Sequence, residues 1–349
     1  RGWIPPLRSE AKKQLDPAKS PFFRHAEVGL FTAWKDGVPV GRCSAQVNHE
    51  HLKRHDDATG FFGLFDTVDD PGVADALLTQ AKRWCAARGM RRLRGPFSLC
   101  INEEVGIMVE GFEAPSMMLT PYHRPYQGGL VERAGFVAAK DMLTWQHDLG
   151  RLPARAMRAY ERIMAMDEVR IRPVRKRRLE DEMAIVRRIF NEAWSDNWGY
   201  VPWTDAEFAK TVADFKMILN ERLALIAEIN GEPVAICICL PNMNDWIGDL
   251  RGRLGPLGLC KILWRSKCRP PESAKLPLMG LCKSVRRHRR YAGLATAMCV
   301  AIYHELDRLN ARRAELGWTL DDNHLVNSVI ARIGGEPVKR HRIFEAAIA

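Results

Sequence analysis

A basic turn that leads into small residues is the stretch of this chain best suited to bind a ligand. Four arginines and a histidine occupy positions 286–290, and Gly293 and Ala295 follow them. An apolar stretch precedes the turn and a long apolar-periodic stretch reaching Asn310 follows it, which predicts strand, turn and helix. The first turn of a helix carries unpaired N–H groups and a partial positive charge, and small residues leave room for phosphate to reach them. The sequence therefore predicts a phosphate site, although small residues in such a turn are also explained by steric need alone.

The spacing of this turn is more specific than its charge. The pattern Arg290-x-x-Gly293-x-Ala295 resembles the pyrophosphate loop of the GNAT acyltransferases, which binds the pyrophosphate of acyl-coenzyme A. The Gly-x-Gly-x-x-Gly fingerprint and the Walker loop are both absent, which argues against nicotinamide cofactors and P-loop chemistry. The resemblance implies that acyl-CoA binds at the strand end, the turn and a following helix cap, through Cys282, Ser284, Val285, Arg289, Arg290, Tyr291, Ala292, Gly293, Leu294, Ala295 and Asn323.

Composition limits the class of protein. The 349 residues are enough for two domains, and a net charge of +11 favours anionic partners such as coenzyme A, an acidic membrane surface or nucleic acid. The nine cysteines are scattered without metal-ligand spacing, so we expect a reducing compartment and no metal. No apolar run is long enough for a transmembrane helix. We expect a cytoplasmic protein that is either free or peripheral on the inner face of the cytoplasmic membrane.

The order of predicted elements repeats along the chain. Each half reads as successive strands followed by helix and strand, which predicts an α/β protein of two tandem modules, each a mixed, mostly antiparallel sheet flanked by helices. We place the first module at 1–150, a helical connector at 151–168 and the second module at 169–349. An insertion at 241–275 interrupts the second module. Asn230-Gly231 predicts a tight hairpin within it.

The first module lacks an equivalent phosphate site. Its corresponding turn contains Asp69, Asp70 and Pro71, so two carboxylates would repel a pyrophosphate and one N–H donor is missing. We expect this module to have lost coenzyme A binding and either to shape the acceptor site or to buttress the second module.

Longer phrases extend the resemblance over almost the whole chain. They resemble a bacterial tandem-GNAT family that includes the bacterial ceramide synthases, and lie at 2–7, 41–42, 94–96, 240–244, 315–323 and 334–345. The resemblance implies transfer of a long-chain fatty acyl group from acyl-CoA to the amine of a sphingoid base. In the GNAT fold two central parallel strands separate to admit the pantetheine arm, and here they would be 276–285 and 314–320. Many members carry a tyrosine acid seven residues after an asparagine, but counting from Asn323 reaches Ile330, so that acid is missing or supplied elsewhere.

Four carboxylates are candidates for the general base of amine acylation. Glu315 and Asp322 are predicted beside the central cleft, and Glu103 and Glu104 are predicted to approach from the first module. Each has a structural alternative: a buried ion-pair partner, a helix cap or a solvated loop. Backbone N–H groups at 282–284 are candidates for stabilising the oxyanion.

The insertion and nearby aromatic residues favour a lipid substrate. Residues 246–269 alternate bulky apolar groups with cations, as interfacial membrane segments do, although a lid or a dimer contact fits the same composition. We expect the acceptor to be bound by Trp194, Trp198, Asn244, Trp246 and Trp318.

Two other functions fit the sequence. One is a GNAT transferase acting on a soluble amine or amino acid, and the other is a non-catalytic nucleic-acid or membrane adaptor using the basic runs at 172–178 and 286–290. Since no nucleic-acid-binding motif accompanies these runs, we expect no nucleic acid partner. The sequence leaves open the acceptor, the acyl chain length, the choice between coenzyme A and a carrier protein, the base and the oligomeric state.

Overall fold

The computed structural model describes residues 2–150, 152–216 and 218–348. Its strands form a single 12-stranded sheet. The strands are β1 (Ala26–Lys35), β2 (Val38–Asn48), β3 (Thr59–Thr67), β4 (Arg92–Gly95), β5 (Ile107–Glu110), β6 (Val137–Asp148), β7 (Val169–Pro173), β8 (Ala224–Ile229), β9 (Glu232–Pro241), β10 (Ser273–Leu281), β11 (Arg313–Leu320) and β12 (Glu336–Ala347).

Helices cover the sheet and connect its strands. They are α1 (Arg8–Gln14), α2 (His49–His55), α3 (Pro71–Ala86), α4 (Tyr126–Arg133), α5 (Ala154–Met164), α6 (Leu179–Trp194), α7 (Asp205–Phe215), α8 (Asn244–Ile247), α9 (Pro256–Cys268), α10 (Lys283–Arg286), α11 (Leu294–Arg308) and α12 (His324–Arg332). Local sequence explains several boundaries. Thr204 and Glu207 form a capping box that starts α7. Asn230 and Gly231 take positive φ values between β8 and β9, as a two-residue hairpin turn requires.

The two halves of the chain exchange their last strands. The order across the sheet is β1-β2-β3-β4-β12-β6-β11-β10-β9-β8-β7, and β5 also pairs with β12. Strand β6, from the first half, therefore pairs with β11 of the second, while β12 pairs with β4 and β5 of the first. The tandem, mostly antiparallel α/β architecture is confirmed; the module boundaries stay a prediction.

Strands β10 and β11 separate at the centre of the sheet. Their parallel pairing runs only from Ser273 opposite Arg313 to Leu276 opposite Leu316. Beyond that point both strands line a large cavity. The predicted opening between these two strands is therefore present.

Both faces of the sheet in the second half are packed. On β9, Cys237 and Cys239 face a core that includes α11, and Ile236 and Ile238 face another that includes α6. Both cysteines are fully buried and pack as small apolar residues of the strand.

The proline-rich arm at 2–24 forms helix α1 in the helix-favouring stretch between its prolines. One local prediction was wrong. The strand expected to reach Val285 ends at Leu281, because residues 283–286 turn into α10. In the basic run at 172–178, Arg172 is buried in ion pairs with Glu182 and Glu228, whereas the four cations at 175–178 are exposed, as a solvated face would be.

Candidate active site

One cavity connects several of the features that the sequence singled out. Its volume is about 2030 Å³, against roughly 300–1,000 Å³ for ordinary small-molecule sites. Its walls come from both halves of the chain: the arm, the loop at 96–106, α6, α7, the separated ends of β10 and β11, the start of α11, and α12. The cavity can therefore hold two large substrates at once.

The start of α11 forms one end of the cavity. Gly293 precedes the helix with a φ of 108°, a conformation that favours glycine, and no side chain caps this end. A β-carbon at Gly293 would lie 3.0 Å from the guanidinium of Arg162. The exposed helix terminus, with its partial positive charge, gives the predicted phosphate turn the geometry of an anion site.

The cations around this turn are arranged differently from the sequence prediction. Tyr291, Ala292, Gly293, Leu294 and Ala295 line the cavity. Arg290 lies outside its wall and donates to Glu168, with Nε and Oε1 2.7 Å apart, and Arg289 is also outside the wall. Arg286, which sequence reasoning did not single out, does line the cavity and donates to the carbonyl of Ala193 at 2.6 Å.

The end of β10 offers different backbone donors from those expected. The N–H of Cys282 donates to Val234 at 2.8 Å and the N–H of Lys283 donates to Glu192 at 2.7 Å, so neither is free. Cys282, Ser284 and Val285 also lie outside the cavity wall. Because N–H directions alternate along a strand, the N–H groups of Met279 and Leu281 point to the edge that β11 has left.

The corresponding helix start in the first half is blocked. Asp70 caps α3 by accepting from the N–H groups of Gly72 and Val73, and it also pairs with Lys35 at 3.1 Å. The chain's own carboxylate thus occupies the place that an anion would take.

Glu103 and Glu104 lie on the cavity wall. Their side chains are exposed to the cavity, but protein surrounds them, and this enclosure raises the pKa of Glu103 to about 8. Gln14 of the arm donates to Glu103 Oε2 at 2.7 Å and partly opposes the shift. Enclosure also raises the pKa of Glu104, while the charge of Lys275 opposes it.

Glu315 is instead an ion-pair partner. Its Oε1 accepts from Lys275 at 2.6 Å and from Thr120 at 2.6 Å, and its Oε2 accepts from Lys339 at 2.6 Å. Burial opposes ionisation, yet the two ammonium groups lower the pKa of Glu315 to about 2. A carboxylate with both oxygens occupied and so low a pKa has little tendency to take a proton.

Two curated proteins are similar to the chain over nearly its full length. It is 37% identical to the bacterial ceramide synthase of Caulobacter vibrioides over 348 residues, covering 99% of this chain and 90% of that protein. It is also 37% identical to protein YghO of Escherichia coli over 353 residues, covering 99% and 88%. The chain belongs to the family of these two proteins. It is an N-acyltransferase of the GNAT type.

Solved structures agree on the fold. A tandem GNAT protein from the clavulanic acid biosynthesis pathway, solved without AcCoA, matches 93% of this chain and 84% of its own with a TM-score of 0.56 at 14% identity. A GCN5-related N-acetyltransferase from Sphaerobacter thermophilus matches 90% and 78% with a TM-score of 0.51 at 12% identity. No protein-family model matches the chain.

The remaining candidates at the end of β11 have structural roles. Asp322 lies outside the cavity wall and pairs with Lys140. Asn323 lines the cavity and caps α12 by accepting from the N–H of Val326 at 3.4 Å. Ile330, at the position where many GNAT enzymes carry a tyrosine, is buried against the cavity.

The aromatic residues divide into two groups. Trp194, Trp198 and Trp318 line the cavity. Phe190 stacks on Trp194 with ring centroids 4.6 Å apart, which extends the apolar wall. Asn244 and Trp246 do not line it: Asn244 donates to Ser116 at 3.4 Å, and Trp246 is buried within the insertion.

Besides Arg286, sequence reasoning missed two polar residues of the cavity. Gln14 was missed because nothing in the arm's sequence shows that it reaches Glu103, 89 positions away. His123 lines the cavity, and burial lowers its pKa to about 3. Its Nδ1 accepts the N–H of Met108 at 3.2 Å, which leaves the proton of the neutral ring on Nε2.

Within the described ranges, no cluster of three or more His, Cys, Asp or Glu side chains is arranged to hold a metal ion. The helices in the same ranges include none with the length and apolarity needed to cross a bilayer.

Proposed function

We propose that the protein transfers a long-chain fatty acyl group from acyl-CoA to the amine of a sphingoid base. The observation that carries this proposal is the single cavity that joins the free start of α11, the separated strands and the enclosed pair Glu103 and Glu104. Its volume and apolar wall suit two long chains. The family relationship to a protein named bacterial ceramide synthase supports the same acceptor.

The donor binds at the α11 end in this proposal. The pyrophosphate lies on the N–H groups after Gly293, and Arg286 supplies a cation from the wall. The pantetheine arm then enters between β10 and β11, which places the thioester beside the N–H groups of Met279 and Leu281. Because Asp70 blocks the equivalent site, the first half serves the acceptor rather than a second coenzyme A.

The acceptor amine binds at the carboxylate pair. A sphingoid base enters as an ammonium ion, which Glu103 and Glu104 attract. Ionised Glu103 takes one proton, and the neutral nitrogen attacks the thioester carbonyl, forming the C–N bond. The two strand N–H groups hold the oxyanion. When the C–S bond breaks, the remaining ammonium proton is lost to the thiolate, whose thiol has a pKa of about 8.5 and so leaves without a strong acid.

The buried ion-pair cluster positions this chemistry without taking part in it. Lys275 and Glu315 face each other across β10 and β11, directly before the two strands separate. Lys339 joins them from β12 and Thr120 from the first half. The cluster therefore fixes both halves at the point where the cavity begins.

An acceptor panel tests this proposal. The purified protein is given palmitoyl-CoA with sphinganine, a polyamine or an amino acid, and release of the coenzyme A thiol is followed. We expect the highest kcat/KM with sphinganine. Faster turnover of a soluble amine would show that the acceptor belongs to that class and is not a lipid. The fold and the proposed donor site would be unaffected by this result.

A further inference from the structure

Helix α9 of the insertion presents large apolar side chains to the exterior. Leu257 is 87% exposed and Trp264 is 55% exposed, and two turns of helix place them on one face. Trp246, by contrast, is buried, so the outward surface is narrower than the composition of 246–269 predicts. We call this outward side of α9 the α9 face.

Cations surround the α9 face. Asp249, the single acidic residue between positions 246 and 269, already pairs with Lys261 and Arg265. Arg253 and Lys267 are exposed, and among the described residues neither has a salt bridge. The surface therefore combines exposed apolar groups with uncompensated positive charge, as helices that bind anionic membranes do.

The α9 face adjoins the cavity. Leu254, Leu259 and Ile262 of the same insertion line the cavity wall. The arm packs beside it, since the N–H of Arg8 donates to Gly252 at 2.9 Å, and the arm's Gln14 reaches Glu103. A chain that enters from this side contacts apolar residues of the same cavity wall that contains Glu103 and Glu104.

We propose that the α9 face docks on an anionic phospholipid bilayer and that the amine acceptor enters the cavity from it. Charge complementarity and continuity with the cavity select this occupant. The identity of the amine acceptor rests on the proposed function, whereas docking of the α9 face on a bilayer does not.

Vesicle binding without substrates tests the docking. Flotation with vesicles of equal parts phosphatidylglycerol and phosphatidylcholine compares the wild type with Leu257→Asp/Trp264→Asp and with Arg253→Gln/Lys267→Gln. We expect the first pair to weaken binding by about tenfold or more, since it removes buried apolar area. The second should weaken it roughly fivefold per charge at low salt. Trp34→Asp, at a residue 65% exposed on β1, is the matched control and should bind as the wild type does.

The alternatives give different results. Unchanged vesicle binding by both double variants overturns the proposal. So does a wild-type dimer that Leu257→Asp/Trp264→Asp converts to monomer with vesicle binding intact, because the surface is then a contact between copies. If docking is confirmed, the same variants should lose turnover of vesicle-borne sphinganine but keep it in detergent micelles. Docking without acylation of any amine would retain the surface and refute the proposed function alone.

Discussion

Replacing Glu103 by glutamine separates catalysis from stability. If Glu103 is the base, Glu103→Gln should lower kcat/KM by about 100- to 10,000-fold, the usual contribution of a general base. With a pKa of about 8, the wild-type carboxyl is about one-tenth ionised at pH 7 and about nine-tenths ionised at pH 9. The wild-type rate should therefore rise about tenfold between these values because of this group.

Glu103→Gln should lower activity but raise stability at high pH. Enclosure raises the pKa of Glu103 from 4.5 to about 8, so the folded state favours the protonated form. The contribution of the protonated Glu103 carboxyl group to the free energy of unfolding is fully present below pH 4.5 and is lost as pH rises through about 8. Glu103→Gln, which never ionises, should thus raise Tm relative to the wild type more at pH 9 than at pH 5.

The assay measures initial rates of coenzyme A release from pH 6 to 9, after subtracting uncatalysed thioester hydrolysis. The acceptor amine also titrates, so the ratio of wild-type to variant rate at each pH isolates the carboxyl group. Glu104→Gln is measured in parallel. If Glu103→Gln kept the wild-type rate and pH profile, Glu103 would not be the general base. If activity were lost in Glu104→Gln alone, Glu104 would be the base instead.

Three further predictions concern the donor end, the ion-pair cluster and the arm. Gly293→Val should weaken acyl-CoA binding, measured by calorimetry, about tenfold or more. A φ of 108° costs residues other than glycine about 1–3 kcal/mol, and the new side chain obstructs the start of α11. The control is Gly89→Val, at a glycine with a φ of 77° and no neighbour within 4 Å, which should leave acyl-CoA binding unchanged. Equal loss in both variants would point to general strain. Glu315→Gln should lower the free energy of unfolding, measured in urea at pH 7, by about 3–5 kcal/mol, because two buried ammonium groups lose their partner. This deficit in unfolding free energy relative to the wild type should shrink as pH falls from 4.5 to about 2, because Glu315 of the wild type then becomes protonated. A deficit unchanged at low pH would exclude the ion pair as its cause. Gln14→Ala should move the pH midpoint of activity upward, since its hydrogen bond favours ionised Glu103; an unchanged midpoint would show that the arm does not tune this group.

Local signals in the sequence were sufficient for the elements around the donor end. The glycine at 293 follows a basic turn and precedes a long apolar-periodic helix, and the structure has that turn and helix. The hairpin at Asn230-Gly231 follows from turn chemistry, and the opening between β10 and β11 follows from the resemblance to GNAT proteins.

Contacts between distant parts of the chain could not be predicted in the same way. Lys339 reaches Lys275 and Glu315 because β12 pairs with β6 of the first half, which lies beside β11, and no local pattern encodes that exchange. The approach of Gln14 to Glu103 depends on how the arm packs. Periodicity shows which face of an element is apolar, but it does not show which distant element covers it.

Mass-spectrometric detection of the amide product is the decisive test of acyl transfer to a sphingoid base. The protein is incubated with palmitoyl-CoA and sphinganine, and the lipid extract is searched for N-palmitoylated sphinganine, with Glu103→Gln as the matched control. We expect this amide with the wild type and its loss with the variant. Tight acyl-CoA binding with no amide on the sphingoid base would refute the proposed acceptor.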